Sequence, residues 1–233
     1  MKKMTPMKSL KTWLTVASLL LASATASAAG EIKPFTAEYQ ANYLGVEGIG
    51  RMVLAPTGDN RWRYSLDIGG SMANLNQTTV FEDSNGQWRP ISNSDTSALL
   101  VKRKQKNATY DWSRGEARWT GDVKADRAGP VKLQNGDLDA MLINLALARD
   151  VAAGKPLRYR MVDDGRVKQL IYQVSGKESI TVAGTARQAT KVTRVDGDKQ
   201  ELVWVVDGMP APVRILRRKG GQDEMDLRLT ALR

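Results

Sequence analysis

The chain has 233 residues, a formal net charge of +10, and neither histidine nor cysteine. Those absences exclude Ser-His-Asp and Cys-His nucleophiles, disulfides, and imidazole or thiolate metal sites. Without a cysteine to carry a lipid, the mature protein is not expected to be a lipoprotein; without His or Cys, any catalysis would rest on carboxylates, Lys, Tyr or Ser, with or without a hard cation.

Along the chain, Lys2, Lys3, Lys8 and Lys11 come first, then an apolar run from Trp13 to Ala22, then Ala26-Ser27-Ala28. That order predicts a secretory signal peptide over 1–28, cleaved near Ala28. The run is too short for a permanent membrane helix. Its removal leaves 205 residues at charge +6, enough for one self-sufficient domain over 29–233. The expected location is the periplasm, as a soluble protein and not an integral membrane one. There an anionic lipid head group or acidic polymer suits the charge better than nucleic acid, which is not expected as a partner.

Period-two alternation dominates the rest. Phe35, Ala37, Tyr39, Ala41 and Tyr43 alternate with polar residues, as do Trp62, Tyr64 and Leu66. Leu202, Trp204 and Val206 repeat the pattern, and so do Met225, Leu227, Leu229 and Ala231. Each is the mark of a strand with one buried face. Shorter strands are predicted at 77–82, 86–91, 107–113, 116–121, 156–162, 166–175, 178–182, 186–195 and 211–218. Between them stand turn sequences such as Asp83-Ser84-Asn85-Gly86, Asp163-Asp164-Gly165 and Asp196-Gly197-Asp198, read as hairpin turns and not as calcium loops. Gly45, Gly48 and Gly50 are read as a hairpin link, since no helix follows them to make a dinucleotide site.

One segment breaks the pattern. Asp137 is predicted to cap a helix over 138–153, closed by Gly154 with Pro156 beyond. Met141, Leu142, Leu145 and Ala148 form one stripe, and Ile143, Leu147 and Val151 another. A helix apolar on two sides needs cover on both. The fold class is therefore mainly β: a large, curved, half-barrel-like antiparallel sheet with one principal helix near 138–153.

Lys102, Arg103, Lys104 and Lys106 form a basic run, either an anion patch or a charged edge strand that discourages edge pairing. Arg214, Arg217, Arg218 and Lys219 form a second. Tyr110-Asp111-Trp112 can place a carboxylate between aromatic walls, but alternating aromatics on a strand more simply mean core. With 25 acids in the chain, no catalytic pair can be chosen. No cofactor, metal or catalytic residue is expected, and the chain is read as a non-enzyme.

The set Phe35-x-Ala37-x-Tyr39, Tyr110-Asp111-Trp112, Asp163-Asp164-Gly165-Arg166, Gly176-Lys177-Glu178, Trp204-Val205-Val206-Asp207 and Pro210-Ala211-Pro212-Val213-Arg214-Ile215 resembles, in order and spacing, the bacterial envelope family of domain of unknown function 3108. The resemblance spans about 32–231 and implies an exported, β-rich protein with no established activity. Asp137-Leu138-Asp139 lacks the proline common at that point in relatives, which leaves the helix start open.

Two functions fit these features. One is a binding or carrier protein for an apolar or lipid-like ligand, with Leu138, Met141, Leu142 and Leu145 lining an apolar site and Lys102, Arg103 and Lys104 near a head group. The other is an interaction module that takes an envelope protein partner along an exposed sheet edge.

Overall fold

The computed structural model describes Met1 and residues 32–70, 73–99 and 101–233. The predicted signal peptide lies outside the described residues. Among the described residues, fifteen strands and one α-helix follow in chain order. The strands before the helix are β1 (Phe35–Tyr43), β2 (Val46–Gly58), β3 (Arg61–Gly70), β4 (Ala73–Ser84), β5 (Gln87–Leu99), β6 (Lys102–Asp111), β7 (Glu116–Gly121) and β8 (Val131–Lys132). The helix is α1 (Ala140–Ala152). After it come β9 (Arg158–Asp163), β10 (Arg166–Ile171), β11 (Gln173–Val182), β12 (Thr185–Asp196), β13 (Lys199–Val205), β14 (Arg214–Lys219) and β15 (Gln222–Leu232).

Thirteen strands form one antiparallel sheet that does not close into a barrel. Its order is β11-β12-β13-β14-β15-β1-β2-β3-β4-β5-β6-β7-β8, and β9 and β10 form a separate hairpin. Almost every step is a tight turn, so alternation sets which side chains face the core. Phe35, Ala37, Tyr39 and Ala41 of β1 are buried, as are Tyr64, Leu66 and Ile68 of β3 and Leu227 and Leu229 of β15. The helix contacts β3, β4 and β13. In a flat sheet β13 and β4 would stand about 29 Å apart at the usual strand spacing. A helix only about 10 Å wide touches both, so the sheet wraps around it. The fourth side of α1 is covered by β9. Nine of its residues are buried, including both predicted apolar stripes except Val151.

The helix begins two residues later than predicted. Leu138 is held extended by a parallel bridge to Met161: its N–H donates to Arg160 O and its carbonyl accepts from Val162 N. Extended backbone at 138 prevents Asp137 from capping. Asp139 is the cap instead, its carboxylate accepting from Leu142 N at 2.8 Å. The predicted C-terminus holds, with Gly154 at φ +63°.

The predicted strand 166–175 divides at Tyr172, whose N–H donates to Leu157 O. Its first half pairs with β9 in the cover, and its second half opens β11 at the sheet edge. The supposed glycine link after Gly45 is β2, a full strand paired on both sides. Gly48 is required there, because a Cβ would lie 2.3 Å from Gly69 O.

Candidate ligand-binding cleft

Three polar networks tie the cover to the sheet. At the helix start, Asp139 is fully buried and accepts from Thr79 Oγ1 at 2.5 Å, from Asn93 Nδ2 at 3.3 Å and from Leu142 N. Burial raises its carboxyl above the usual range, against the pull of those donors. Asp163, at the end of β9, is pushed up to about 7, first by burial and then by the Asp139 charge. The adjoining turn is clamped by Asp164, which accepts from Lys106 Nζ at 3.2 Å and Arg127 Nη1 at 3.1 Å.

At the helix end, the Arg149 guanidinium stacks over Trp88 at 4.1 Å and pairs with Asp150, which also accepts from Tyr159 Oη at 3.1 Å. Asp137, displaced from its capping role, is fully buried against Arg160.

The third network lies where β10 meets β12–β14. Tyr172 Oη donates to Glu201 Oε2 at 2.7 Å, Arg217 Nε donates to Oε1 at 3.3 Å, and Arg194 Nη2 reaches Oε2 at 3.4 Å. Burial pushes the Glu201 carboxyl up, but Arg217, the Tyr172 hydroxyl and Arg194 outweigh it and hold it below the usual range. Burial and the Glu201 charge together raise Tyr172 well above normal.

Beside this third network opens a cleft of about 260 Å³. Its apolar side is Ala140 and Ile143 of the helix with Met161 and Leu170 of the hairpin. Five basic side chains, Lys168, Arg194, Lys199, Arg217 and Arg218, face three acids, Asp196, Glu201 and Glu224. An apolar wall meeting a cationic rim suits a ligand that is greasy at one end and anionic at the other.

The predicted site residues are divided by this geometry. Met141, Leu142 and Leu145 are buried in the core that backs the cleft. Leu138 is also buried, but it borders a different cleft, near Trp88 and Arg149. Lys102, Arg103 and Lys104 are exposed at the start of β6, seven strand positions from β14 in the sheet order. They pair with β5 alone, since β7 reaches only from Lys106 onward. This stretch is thus a charged edge within an otherwise interior strand.

Of the second basic run, Arg217 and Arg218 line the cleft. Arg214 instead stacks on Trp204 and pairs with Asp226. Asp111 accepts from Ser113 N, Ser113 Oγ and Arg114 N. The Ser113 hydroxyl and then the Arg114 N–H lower its carboxyl, the opposite of what a general acid needs. Tyr110 is core, its hydroxyl donating to Val162 O.

The sequence matches the family described as "Protein of unknown function (DUF3108)" over residues 38–228. The chain belongs to that family. Among solved structures, the DUF3108 chain is similar to a beta-barrel-like protein of domain of unknown function DUF1849 from Brucella abortus. The TM-score is 0.51 at 12% identity, over 85% of this chain and 96% of that one. The likeness extends to the fold alone. Weaker likenesses are to MucB, at TM-score 0.37 and 12% identity, and to the Pseudomonas aeruginosa MucA/MucB complex, at 0.40 and 13%. Both cover 86% of this chain, which spans about half the length of those chains (52% and 51%). No curated protein matches the sequence.

Proposed function

We propose that this DUF3108 protein is an exported, non-enzymatic binding or carrier protein of the periplasm for an apolar or lipid-like ligand. The observation that carries this reading is the cleft walled by the buried Ile143 and Leu170 and the partly buried Met161, beside a cluster of cationic side chains. In this reading Met141, Leu142 and Leu145 form the packed apolar body behind the ligand, while Leu138, at the other cleft, takes no part. The head-group role expected of Lys102, Arg103 and Lys104 passes to the cations at the cleft. The buried carboxylates support a non-catalytic role, since Asp137, Asp139, Asp150 and Glu201 are each engaged by structural partners.

Native mass spectrometry of protein recovered from the cell envelope without detergent is expected to show a one-to-one adduct that organic solvent extracts as an amphiphile. Uniformly ligand-free protein from several growth conditions would count against a carrier.

One observation favours a second reading, an interaction module. β11 is a ten-residue edge strand, exposed at every position except Ile180 and Val182. A bulge between Val174 and Gly176 and the adjacent Lys177 blunt its first part. The stretch from Lys177 to Val182 keeps regular register and can accept an added strand from a partner protein. Crosslinking through residues 178–181 in intact cells would favour this reading if it captured one stoichiometric partner while no amphiphile co-purified.

A further inference from the structure

The cleft beside Glu201 has an asymmetry that narrows its ligand. Arg194 is engaged on both sides: Nη1 lies 3.5 Å from Asp196 and Nη2 3.4 Å from Glu201. Arg218 donates to Asp223 at 2.6 Å. Lys168 reaches Asp196 only at 4.0 Å. Arg217 differs. It gives its inner Nε–H to the buried Glu201 and keeps a side chain 40% exposed. Among the described residues, its two terminal nitrogens have no partner. Glu201 therefore orients a guanidinium whose outer fork stays free. Such a fork matches the two oxygens of a carboxylate or phosphate, and holding it in advance lowers the ordering cost of binding.

Lys168 and Lys199 stand on the same rim, while the opposing Asp196 is half exposed and shared between Arg194 and Lys168. Among the described residues of the lining, the cations left with free donors are thus Arg217, through its outer nitrogens, and Lys199, with Glu224 the one acid not engaged by them. Next to it the surface turns apolar: Leu170 and Ile143 are buried and Met161 is partly so. At about 260 Å³ the cleft is slightly smaller than sites that enclose a drug-sized ligand, roughly 300–1,000 Å³. It has room for a head and the first part of a chain.

We infer that the cleft binds a single-chain amphiphile with an oxyanion head, the head on the outer fork of Arg217 and the proximal chain on Ile143, Met161 and Leu170. This rests on the apolar-ligand reading above and specifies its chemistry and place. Glu201 is a positioning residue: it aims the guanidinium and touches no ligand.

Isothermal titration of the folded protein with alkyl phosphates below their micelle concentration tests the inference. Octyl phosphate is expected to bind at least about tenfold more tightly than the neutral octyl glucoside. From butyl to octyl phosphate, affinity should rise by up to about fourfold per methylene, the value for full burial. Octanoate tells whether a carboxylate serves as well as a phosphate, and either result fits an oxyanion head. Arg217→Gln should bring octyl phosphate down to the octyl glucoside level. Arg217→Lys, which keeps a charge for Glu201 but loses the fork, should lose most of the preference while circular dichroism and melting stay near wild type. Met161→Gln, on the chain side, should weaken both octyl ligands and leave their ratio intact.

Equal binding of octyl phosphate and octyl glucoside, insensitive to Arg217, would overturn the anionic head and leave the apolar reading standing. Inorganic phosphate binding as tightly as octyl phosphate would overturn the chain. If no octyl compound binds, both the inference and the apolar reading fail.

Discussion

Leu142→Ala is expected to destabilise the fold by about 3–5 kcal/mol, the upper part of the range for buried leucines. The side chain is 0% exposed and sits in the first full turn of a helix packed against β3, β4, β13 and β9. A residue enclosed on all sides leaves a hole that the surroundings cannot close, because the sheet ladder on one side and the bridged hairpin on the other resist collapse. Had Leu142 lined an open ligand cavity, as its apolar stripe suggests from sequence alone, truncation would merely enlarge that cavity and cost less. Met161→Ala is the control: Met161 is only partly buried, at the mouth of the cleft, and should cost less than about 1.5 kcal/mol. Urea denaturation of the three proteins measures this. Equal midpoints for the two variants would place Leu142 at a ligand surface and not in the packed core.

Acidification from pH 8 to about pH 5 is expected to stabilise the protein, and Asp163→Asn should remove most of that dependence. Asp163 is raised from 3.8 to about 7 by burial and by the Asp139 charge. Between those values the folded chain holds a proton that the unfolded chain does not. Stability therefore falls as pH rises through the folded value. The groups facing Asp163 act in both directions: Asp139 and Asp164 raise it, while Lys106 and the Asp164 N–H lower it. At about 1.36 kcal/mol per unit the effect between pH 8 and pH 5 is roughly 2.7 kcal/mol at most, since only the two units below the folded value contribute. Asp139 is also raised and adds in the same sense.

Below about pH 4.5 the trend reverses. Glu201 and Asp226 are held below their usual values by arginines; their stabilisation is present above the unfolded values and is lost as they protonate. The melting temperature should thus peak on the acid side of neutrality. A flat profile from pH 5 to pH 8 would mean that the partly buried Asp163 does not retain its proton beside the Asp139 charge.

The sheet was legible in β1, β3 and β15, where large side chains carry the alternation. In β13 the predicted face of Leu202, Trp204 and Val206 is not the single buried one, since Val203 and Val205 are 0% exposed while Leu202 is only partly buried. Phe35, Ala37, Tyr39, Ala41 and Tyr43 mark β1 with both ends correct. β2 was missed because its core-facing positions near Tyr39 are Gly48 and Gly50, which have no side chain to alternate. Gly50 is close-packed, since a Cβ there would lie 3.3 Å from that of Tyr39. The middle of β5, Ser92 to Ser97, was missed for a related reason: hydroxyl and amide side chains occupy both faces and give no apolar period.

The helix was clear from its two stripes, but its start was not. The bridge from Leu138 to Met161 is a tertiary contact with no local sequence signal. The cleft was the least legible feature. Arg194, Glu201 and Arg217 converge only through the registers of β12, β13 and β14, where Arg194 opposes Glu201 and Glu201 opposes Arg217, and Tyr172 joins them from the break between β10 and β11. Arg217 was noticed as part of a basic run. Its separation from Arg214, which packs with Trp204 and Asp226 on another surface, depends on strand alternation over three residues of regular register.

Hydrogen exchange read by mass spectrometry, with and without a saturating single-chain amphiphile, is the most direct test of the proposed ligand site. Added protection is expected in Arg158–Tyr172 and in the strands carrying Arg194, Glu201 and Arg217, with little change at Lys102–Lys104 or along β11. Protection confined to β11, or none anywhere at saturation, would contradict that site.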